Sequence, residues 1–194
     1  MKTTMPDLRQ QKRALRVLLQ ERRAKAAAEQ PTAHNLLHDL ALKQLALPDS
    51  AIVASYSAYN NEMNPAPLAE ALRARGHTIA LPTITGKDEA LLFRRYDVGD
   101  RLEATAHGIL EPLPTAPTVI PDVLLVPLLG FDRRRHRLGY GGGFYDRTLA
   151  ALRRQKPILA IGLGFACQEL PEVPTGPHDA PLDKIATEIE IFEG

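Results

Sequence analysis

Hydrophobic and polar positions follow one spacing before residue 50 and another after it. The segment from about Asp7 to Glu29 is rich in Leu, Ala, Arg, Lys, Gln and Glu, all strong helix formers. We expect one narrow apolar stripe on this helix, formed by Leu8, Leu15, Leu18 and Leu19. The basic groups lie mostly outside it. A second helix is predicted from His34 to Leu45, before Pro48. The sequence therefore predicts an N-terminal helical segment over about residues 7–46.

Beyond residue 50, short apolar runs bounded by turn residues alternate with helical patterns. Buried strands are predicted for the runs AIVASY, HTIALP, ALLFRRY, DVLLVP and PILAIGLGF. Helices are predicted over Pro65–Arg75, which stops at Gly76, and over Gly143–Arg154. Because these strands are apolar almost throughout, we expect a mostly parallel sheet covered on both faces, in a three-layer α/β/α sandwich. The length of 194 residues predicts a single domain over 1–194.

Composition and charge narrow the class of protein. The 24 Lys and Arg residues balance 23 Asp and Glu residues, whereas a dedicated nucleic-acid binder carries a basic excess. The first twenty residues lack the apolar stretch of a signal peptide, and no apolar run is long enough to span a membrane. We expect a cytoplasmic, monomeric protein without nucleic-acid or membrane partners. The lone Cys167, among small and apolar neighbours, is predicted to be a buried structural thiol.

A glycine-rich loop carries the strongest chemical signal. Gly139, Gly141, Gly142 and Gly143 follow a predicted strand and directly precede a predicted helix. Such a loop can present successive backbone N–H groups, and the helix N-terminus adds its positive dipole end, so the pattern favours a phosphate site. Arg137 and Arg147 flank the loop and could donate to phosphate oxygens. The alternative is a glycine-rich turn that serves only tight packing of strand against helix.

The string RLGYGGGFYDRTL, over Arg137–Leu149, resembles the signature of the 5-formyltetrahydrofolate cyclo-ligase family. Further segments resemble that family in the same order along the chain: KRALR from Lys12, YNNEMN with Glu62, GILEP, VPLLGFD and PHDAPLDKIATE, ending at Glu188. The resemblance implies a NagB/RpiA/CoA-transferase-like fold. It also implies a reaction in which ATP drives the cyclisation of 5-formyltetrahydrofolate to 5,10-methenyltetrahydrofolate, with release of ADP and phosphate.

The resemblance also implies roles for particular residues. Catalysis would fall to Arg137, Tyr145 and Asp146. The ATP phosphates would be bound by Lys12, Arg13, Arg16, Arg137, Leu138, Gly139, Tyr140, Gly141, Gly142, Gly143, Phe144 and Tyr145. The folate would contact Glu62 and the stretch Tyr140, Gly141, Gly142, Gly143 and Phe144. Mg²⁺ would be held through Asp146 and Asp179, with the neighbouring His178 structural or facing solvent.

Two departures and two alternatives accompany this interpretation. Arg135 stands where the family often has a glycine, and Phe144 where a tyrosine is common. One alternative is a diverged member with another ATP-activated substrate, because a fold and a phosphate loop do not determine the substrate. The other is a non-catalytic nucleotide- or RNA-binding module that uses the arginines between Arg133 and Arg137. The low aromatic content, with no Trp, counts against recognition of RNA by base stacking.

Overall fold

The computed structural model describes residues 7–105 and 108–193. Its α-helices are α1 (Leu8–Glu29), α2 (Ala33–Gln44), α3 (Ala66–Ala74) and α4 (Phe144–Arg153). Each confirms a predicted helix to within two residues at either end. A single turn of 3₁₀-helix lies at Ala166–Gln168. Among the described residues, no helix is long and apolar enough to cross a membrane.

Twelve strands are present in the described part of the chain. They are β1 (Ile52–Ala54), β2 (Thr78–Thr83), β3 (Leu92–Arg95), β4 (Leu102–Ala104), β5 (Leu110–Pro112), β6 (Thr118–Val119), β7 (Val123–Pro127), β8 (Gly130–Phe131), β9 (Arg137–Leu138), β10 (Leu159–Leu163), β11 (Lys184–Ala186) and β12 (Ile191–Phe192). All five predicted strands form. The other seven have two or three residues each, too few for a periodicity to be recognised.

A single sheet of eight strands forms the centre, in the order β12-β11-β10-β7-β1-β2-β3-β6. The five strands from β11 to β2 pair in parallel, and β12, β3 and β6 add antiparallel edges. The predicted mostly parallel sheet is confirmed, with ALLFRRY as an antiparallel strand. Strands β4 and β5 form one separate hairpin, and β8 and β9 another.

The two faces of the sheet are covered by different helices, because side chains alternate along each strand. In β7, Val123 and Leu125 belong to the core cluster that includes apolar residues of α1, α2 and α3. Leu124 and Val126, on the opposite face, belong to the cluster that includes Leu149 and Leu152 of α4. The predicted three-layer α/β/α arrangement is therefore confirmed.

Two predictions about burial are wrong. Leu18, assigned to the apolar stripe of α1, is 40% exposed, and the fully buried positions of this helix are Leu19, Arg23 and Ala26. The inward face of α1 is thus partly basic, because it packs against polar backbone of the loops as well as against the sheet. Cys167 is exposed instead of buried, since it lies in the 3₁₀ turn after β10. The pKa of its thiol is nevertheless raised, by partial burial and by the carboxylate of Glu188.

Candidate active site

A cavity of about 380 Å³ opens at the carboxyl ends of β1, β2 and β7. From β1 the chain continues to β2 on one side, and later returns as β7 on the other side. In open α/β sheets, ligands bind at such a switch of strand order. The turn that carries Glu62 follows β1, and the glycine-rich loop follows β7 through the β8–β9 hairpin. The topology therefore brings these two predicted site segments to one cavity.

The glycine-rich loop depends on backbone conformations that favour glycine. Gly141 has φ +103° and Gly143, the N-cap of α4, has φ +69°. A Cβ atom on Gly141 would lie 3.1 Å from Cζ of Arg16, so a larger residue would press on that guanidinium. The loop and the first turn of α4, through Tyr145, line the cavity. Because the first N–H groups of a helix have no partner within it, this end of α4 can bind an anion.

Cations on α1 approach the same loop from the other side. Lys12 and Arg16, four positions apart, lie on one face of the helix. Nε of Arg16 donates to the carbonyl oxygen of Gly139 at 2.8 Å, and Lys12 pairs with Asp179. Arg13, one position along, is exposed and has no ion pair within residues 7–105 and 108–193. The structure thus brings Arg16 to the loop and Lys12 to Asp179, whereas Arg13 takes part in neither contact.

Two ion pairs lie around Ala180: Asp146 pairs with Arg137, and Asp179 pairs with Lys12. One oxygen of Asp146 accepts from Nη2 of Arg137 at 2.7 Å and from the Ala180 N–H at 3.0 Å. Nη1 of Arg137 donates to the Ala180 carbonyl oxygen at 2.5 Å. Burial alone would raise the pKa of Asp179, but hydrogen bonds from Lys12 and from the Gly176 N–H at 2.6 Å lower it. The predicted metal-ligating pair, Asp146 and Asp179, therefore lies together, each beside its own cation.

This donor set fits Mg²⁺. The described residues hold no group of three or more His, Cys, Asp or Glu side chains that could enclose a metal ion. Mg²⁺ does not require such a group, because it commonly binds through one or two carboxylates together with phosphate oxygens and water. Asp146 and Asp179 supply two carboxylates beside a loop suited to phosphate.

Glu62 lines the same cavity and is 8% exposed. Its carboxylate accepts from the Tyr59 N–H at 2.9 Å. Burial raises the pKa of Glu62, while that hydrogen bond, the positive charge of Arg23 and a hydrogen bond with Tyr140 act in the opposite direction. The Tyr145 hydroxyl also lies in a buried setting, and its pKa is raised by burial and by the negative charge of Glu62. Tyr145 is thus a neutral donor at any physiological pH.

Much of the remaining cavity wall is apolar. It includes Pro82, Ile84, Leu91, Ile109 and Phe144. Apolar walls with a few polar groups that orient the ligand are typical of sites for small organic molecules. Glu111, which also lines the cavity, accepts from the Ile84 N–H at 3.2 Å, and burial raises the pKa of its carboxyl.

Three other residues singled out from the sequence lie in contacts that hold the loop or at the surface. Leu138 is buried in the cluster with Leu19 and Leu129, so only its backbone faces the loop. Arg147 donates to the carbonyl oxygens of Gly142, Lys87 and Glu89, which ties the loop to residues 86–89. His178 is exposed, which is one of the two settings expected for it.

The cluster of arginines before the loop is largely neutralised. Arg133 pairs with Glu169 and Glu190, and Arg134 pairs with Glu172. These contacts leave little free positive charge for an RNA backbone. Arg135 has φ +66°, a left-handed conformation that favours glycine. The turn therefore keeps the shape that a glycine would give it, in spite of the substitution.

Sequence analysis did not identify Arg23, Tyr56 or Glu111 as parts of the site. Arg23 lies seven positions after Arg16 and so on the same face of α1, a spacing that could have revealed it. Tyr56 ends the predicted run AIVASY, and its hydroxyl donates to the Met63 carbonyl oxygen at 2.5 Å. Glu111 lies within the segment GILEP, and no local sequence pattern indicates that this segment reaches the cavity.

Comparison with known proteins identifies the family. The model of the 5-formyltetrahydrofolate cyclo-ligase family matches residues 8–188. The 5-formyltetrahydrofolate cyclo-ligase of Haemophilus influenzae is 31% identical over 179 residues, covering 89% of this chain and 95% of that protein. The enzyme of the same name from Escherichia coli K12 is 34% identical over 146 residues, covering 73% and 80%.

Solved structures give the same fold. The 5,10-methenyltetrahydrofolate synthetase of Aquifex aeolicus superposes with a TM-score of 0.74 at 25% identity, covering 94% of this chain and 92% of that one. The synthetase of Mycoplasma pneumoniae gives 0.71 at 24% identity, covering 91% and 98%, which supports the fold alone. The match along nearly the whole chain shows that this protein belongs to the 5-formyltetrahydrofolate cyclo-ligase family of ATP-dependent ligases.

Proposed function

We propose that this protein converts 5-formyltetrahydrofolate and ATP into 5,10-methenyltetrahydrofolate, ADP and phosphate at the cavity between Glu62 and the glycine-rich loop. The observation that carries the proposal is the lining of the cavity, which combines the glycine-rich loop, apolar side chains and the carboxylate of Glu62. In the proposed complex the folate ring would lie toward Glu62 and its formyl group would face the γ-phosphate of ATP.

The reaction needs an activated formyl oxygen. The N5-formyl group is an amide, whose oxygen is a poor leaving group. Transfer of the γ-phosphoryl group to that oxygen gives a phosphorylated imidate and ADP. N10 then attacks the activated carbon, the five-membered ring closes, and the oxygen departs as phosphate while N10 loses its proton. Because well-oriented intramolecular reactions reach effective molarities of roughly 10⁵ to 10⁸ M, holding N10 near the carbon supplies much of the acceleration.

The residues of the loop and of α1 contribute positioning and charge. Lys12, Arg16 and Arg137, with the amides at the start of α4, would stabilise negative charge on the transferred phosphoryl group. Their contacts with Asp179, Gly139 and Asp146 support this role. Asp146 and Asp179 would hold Mg²⁺, which when bound supplies positive charge at the phosphate oxygens. Arg13 is exposed, so a role at the phosphates would require it to reach around the helix.

At the folate end, Glu62 would accept hydrogen bonds from N–H groups of the pterin ring. Its ionised form is an acceptor only, which suits a ring edge that donates. Tyr140 and Phe144 would flank the folate, and the Tyr145 hydroxyl would donate to the formyl oxygen or to a phosphate oxygen. A monomeric state and a cytoplasmic location stay predictions from the sequence.

The test follows the near-ultraviolet absorbance of 5,10-methenyltetrahydrofolate after purified protein is mixed with 5-formyltetrahydrofolate. We expect a rise that requires both ATP and Mg²⁺. Asp146→Asn should reduce kcat on the order of 100-fold, as loss of a group that organises transition-state charge does. No rise in wild-type protein that still binds ATP would contradict the substrate and favour a diverged family member.

Asp183→Asn is a matched control for Asp146→Asn. Asp183 also accepts from an arginine, Arg153, at 2.9 Å and from a backbone N–H, that of Ala160, at 2.7 Å. Arg153 is not among the residues that line the cavity, whereas Arg137, the partner of Asp146, lines it. Asp183→Asn therefore weakens the same two kinds of hydrogen bond, from an arginine and from a backbone N–H, at a position away from the site. If both variants lost activity equally, the effect of Asp146→Asn would be one of stability and not of catalysis.

A further inference from the structure

Arg23 is a buried cation behind the wall of the cavity. It is 1% exposed, and it lies on α1 between the segments KRALR and YNNEMN. A buried cation is unfavourable unless hydrogen bonds and an opposite charge compensate for its lost hydration. Its surroundings therefore indicate what this side chain is for.

The guanidinium of Arg23 joins two segments of the cavity wall. Nη2 donates to the carbonyl oxygen of Asn60 at 2.5 Å and also to the hydroxyl of Tyr140, whose ring lies 5.3 Å from Cζ. Nη1 lies 3.4 Å from the carbonyl oxygen of Leu128. Asn60 precedes Glu62 by two residues, whereas Tyr140 belongs to the glycine-rich loop. One side chain thus contacts both the Glu62 turn and that loop.

The Glu62 turn is of a kind that needs such support. Asn60 and Asn61 have φ +47° and +60°, so two successive residues other than glycine adopt the left-handed conformation. Backbone in this region persists where surrounding contacts hold it. The Glu62 N–H donates to the Tyr59 carbonyl oxygen at 3.1 Å, which closes the turn on itself. The bond from Arg23 to Asn60 anchors the turn to the helix.

The same guanidinium balances the charge of Glu62. The groups facing this carboxylate are Arg23, the hydroxyls of Tyr56, Tyr140 and Tyr145, and the Tyr59 N–H. Arg23 is the cation in that set. Burial raises the pKa of Glu62, and the charge of Arg23 opposes that effect.

We propose that Arg23 is a positioning residue for the folate end of the site: its guanidinium holds the 59–62 turn against Tyr140 and supplies the positive charge that balances Glu62. The inference rests on the proposed contact between Glu62 and the folate. Arg23 touches no reacting atom and acts through these two neighbours.

The test compares Arg23→Met, Arg23→Lys and Glu62→Gln with the control Arg22→Met. Arg22 is the adjacent arginine of α1 and is exposed. For each variant, kcat/KM for 5-formyltetrahydrofolate and KM for ATP are measured across the neutral and mildly acidic range. Circular dichroism and thermal denaturation establish that each variant is folded.

We expect Arg23→Met to lower kcat/KM for the folate about 10-fold or more, as loss of hydrogen bonds to a charged group does. In this variant the fall of kcat/KM at acid pH should begin at a higher pH. Glu62 without its balancing cation takes up a proton at higher pH, and we call this fall the acid limb of the profile. Arg23→Lys should keep the acid limb near that of wild type, since the charge remains, while kcat/KM still falls because an ammonium lacks the fork. KM for ATP should change less than about 3-fold, and Arg22→Met should match wild type.

The outcomes separate the inference from the proposed function. If Glu62→Gln bound the folate normally, the role of Glu62 would fail and the inference with it. If Glu62→Gln were impaired but Arg23→Met kept both the kcat/KM and the acid limb of wild type, only the inference would be overturned. An equal loss in the folate and ATP parameters, without movement of the acid limb, would also overturn it, because that pattern reports general instability. Should Arg23→Met not fold, Arg23→Lys carries the test through its selective loss for the folate.

Discussion

Lys12 pairs with Asp179 across 167 positions of the chain, so the first helix and the carboxy-terminal segment are joined at the edge of the glycine-rich loop. Both side chains are less than a quarter exposed. The pair lies beside Arg137 and Asp146, which form the second ion pair of this corner. The ends of the described chain thus meet where we propose that ATP and Mg²⁺ bind.

Asp179→Asn is expected to lower the free energy of unfolding at neutral pH by about 1 kcal/mol, the size of one such charge-assisted contact. The folded pKa of Asp179 is lowered, so its contribution is fully present above its unfolded pKa of about 3.9 and is lost as pH falls through the folded pKa. Urea unfolding of both proteins at a series of pH values checks this. The two should differ at pH 7 and converge at pH values below the folded pKa of Asp179. A constant difference down to acid pH would show that Asp179 contributes through neutral contacts.

Gly141→Ala is expected to raise KM for ATP about 10-fold while the folate affinity stays nearly unchanged. The new Cβ would press on the Arg16 guanidinium at 3.1 Å, and the φ of +103° is unfavourable for alanine. Steady-state kinetics with each substrate varied in turn measures both effects.

Gly99→Ala is the control for this variant. Gly99 has a similar φ of +94°, but no atom lies within 4 Å of the position that a Cβ would take, and the residue does not line the cavity. It should lose stability without a change in KM for ATP. If the two variants lost stability alike and neither changed KM, the phosphate role of the loop would be contradicted at this position.

Arg135→Gly is expected to raise the free energy of unfolding by about 0.5 to 1 kcal/mol, because glycine adopts φ +66° without strain. The substitution also removes a buried Nε atom that has no hydrogen-bond partner among the described residues. For a chain of this length the melting temperature should rise by roughly 2 °C, with activity unchanged.

Arg134→Gly provides the comparison, since Arg134 is not among the described residues with positive φ and pairs with Glu172. It should lower the melting temperature, because glycine there adds only freedom to the unfolded chain. Equal and negative shifts in both variants would show that the Arg135 side chain stabilises the turn more than its backbone conformation costs.

The glycine-rich loop could be predicted from sequence because the interactions that form it are local. Glycines, a strand before them and a helix after them lie within a few turns of chain, and the acidic residue Asp146 falls in the first turn of that helix. The alternation of apolar runs with helical patterns likewise indicated the parallel sheet. Family resemblance then related Glu62 and Asp179 to the same site. Their spacing along the chain could not have done so.

Tertiary structure decided which side chains of each element face the site. The inward face of α1 carries Lys12, Arg16 and Arg23 because it packs against carbonyl oxygens of two loops, and no pattern within the helix distinguishes that partner from an apolar sheet. Cys167 is exposed because a turn follows β10, although its neighbours along the chain are apolar. Glu111 reaches the cavity from a separate hairpin. The sequence by itself determined the elements and the loop, since these depend on neighbours along the chain; the charge balance around Glu62 depends on groups brought together from distant positions, and only the folded structure defines it.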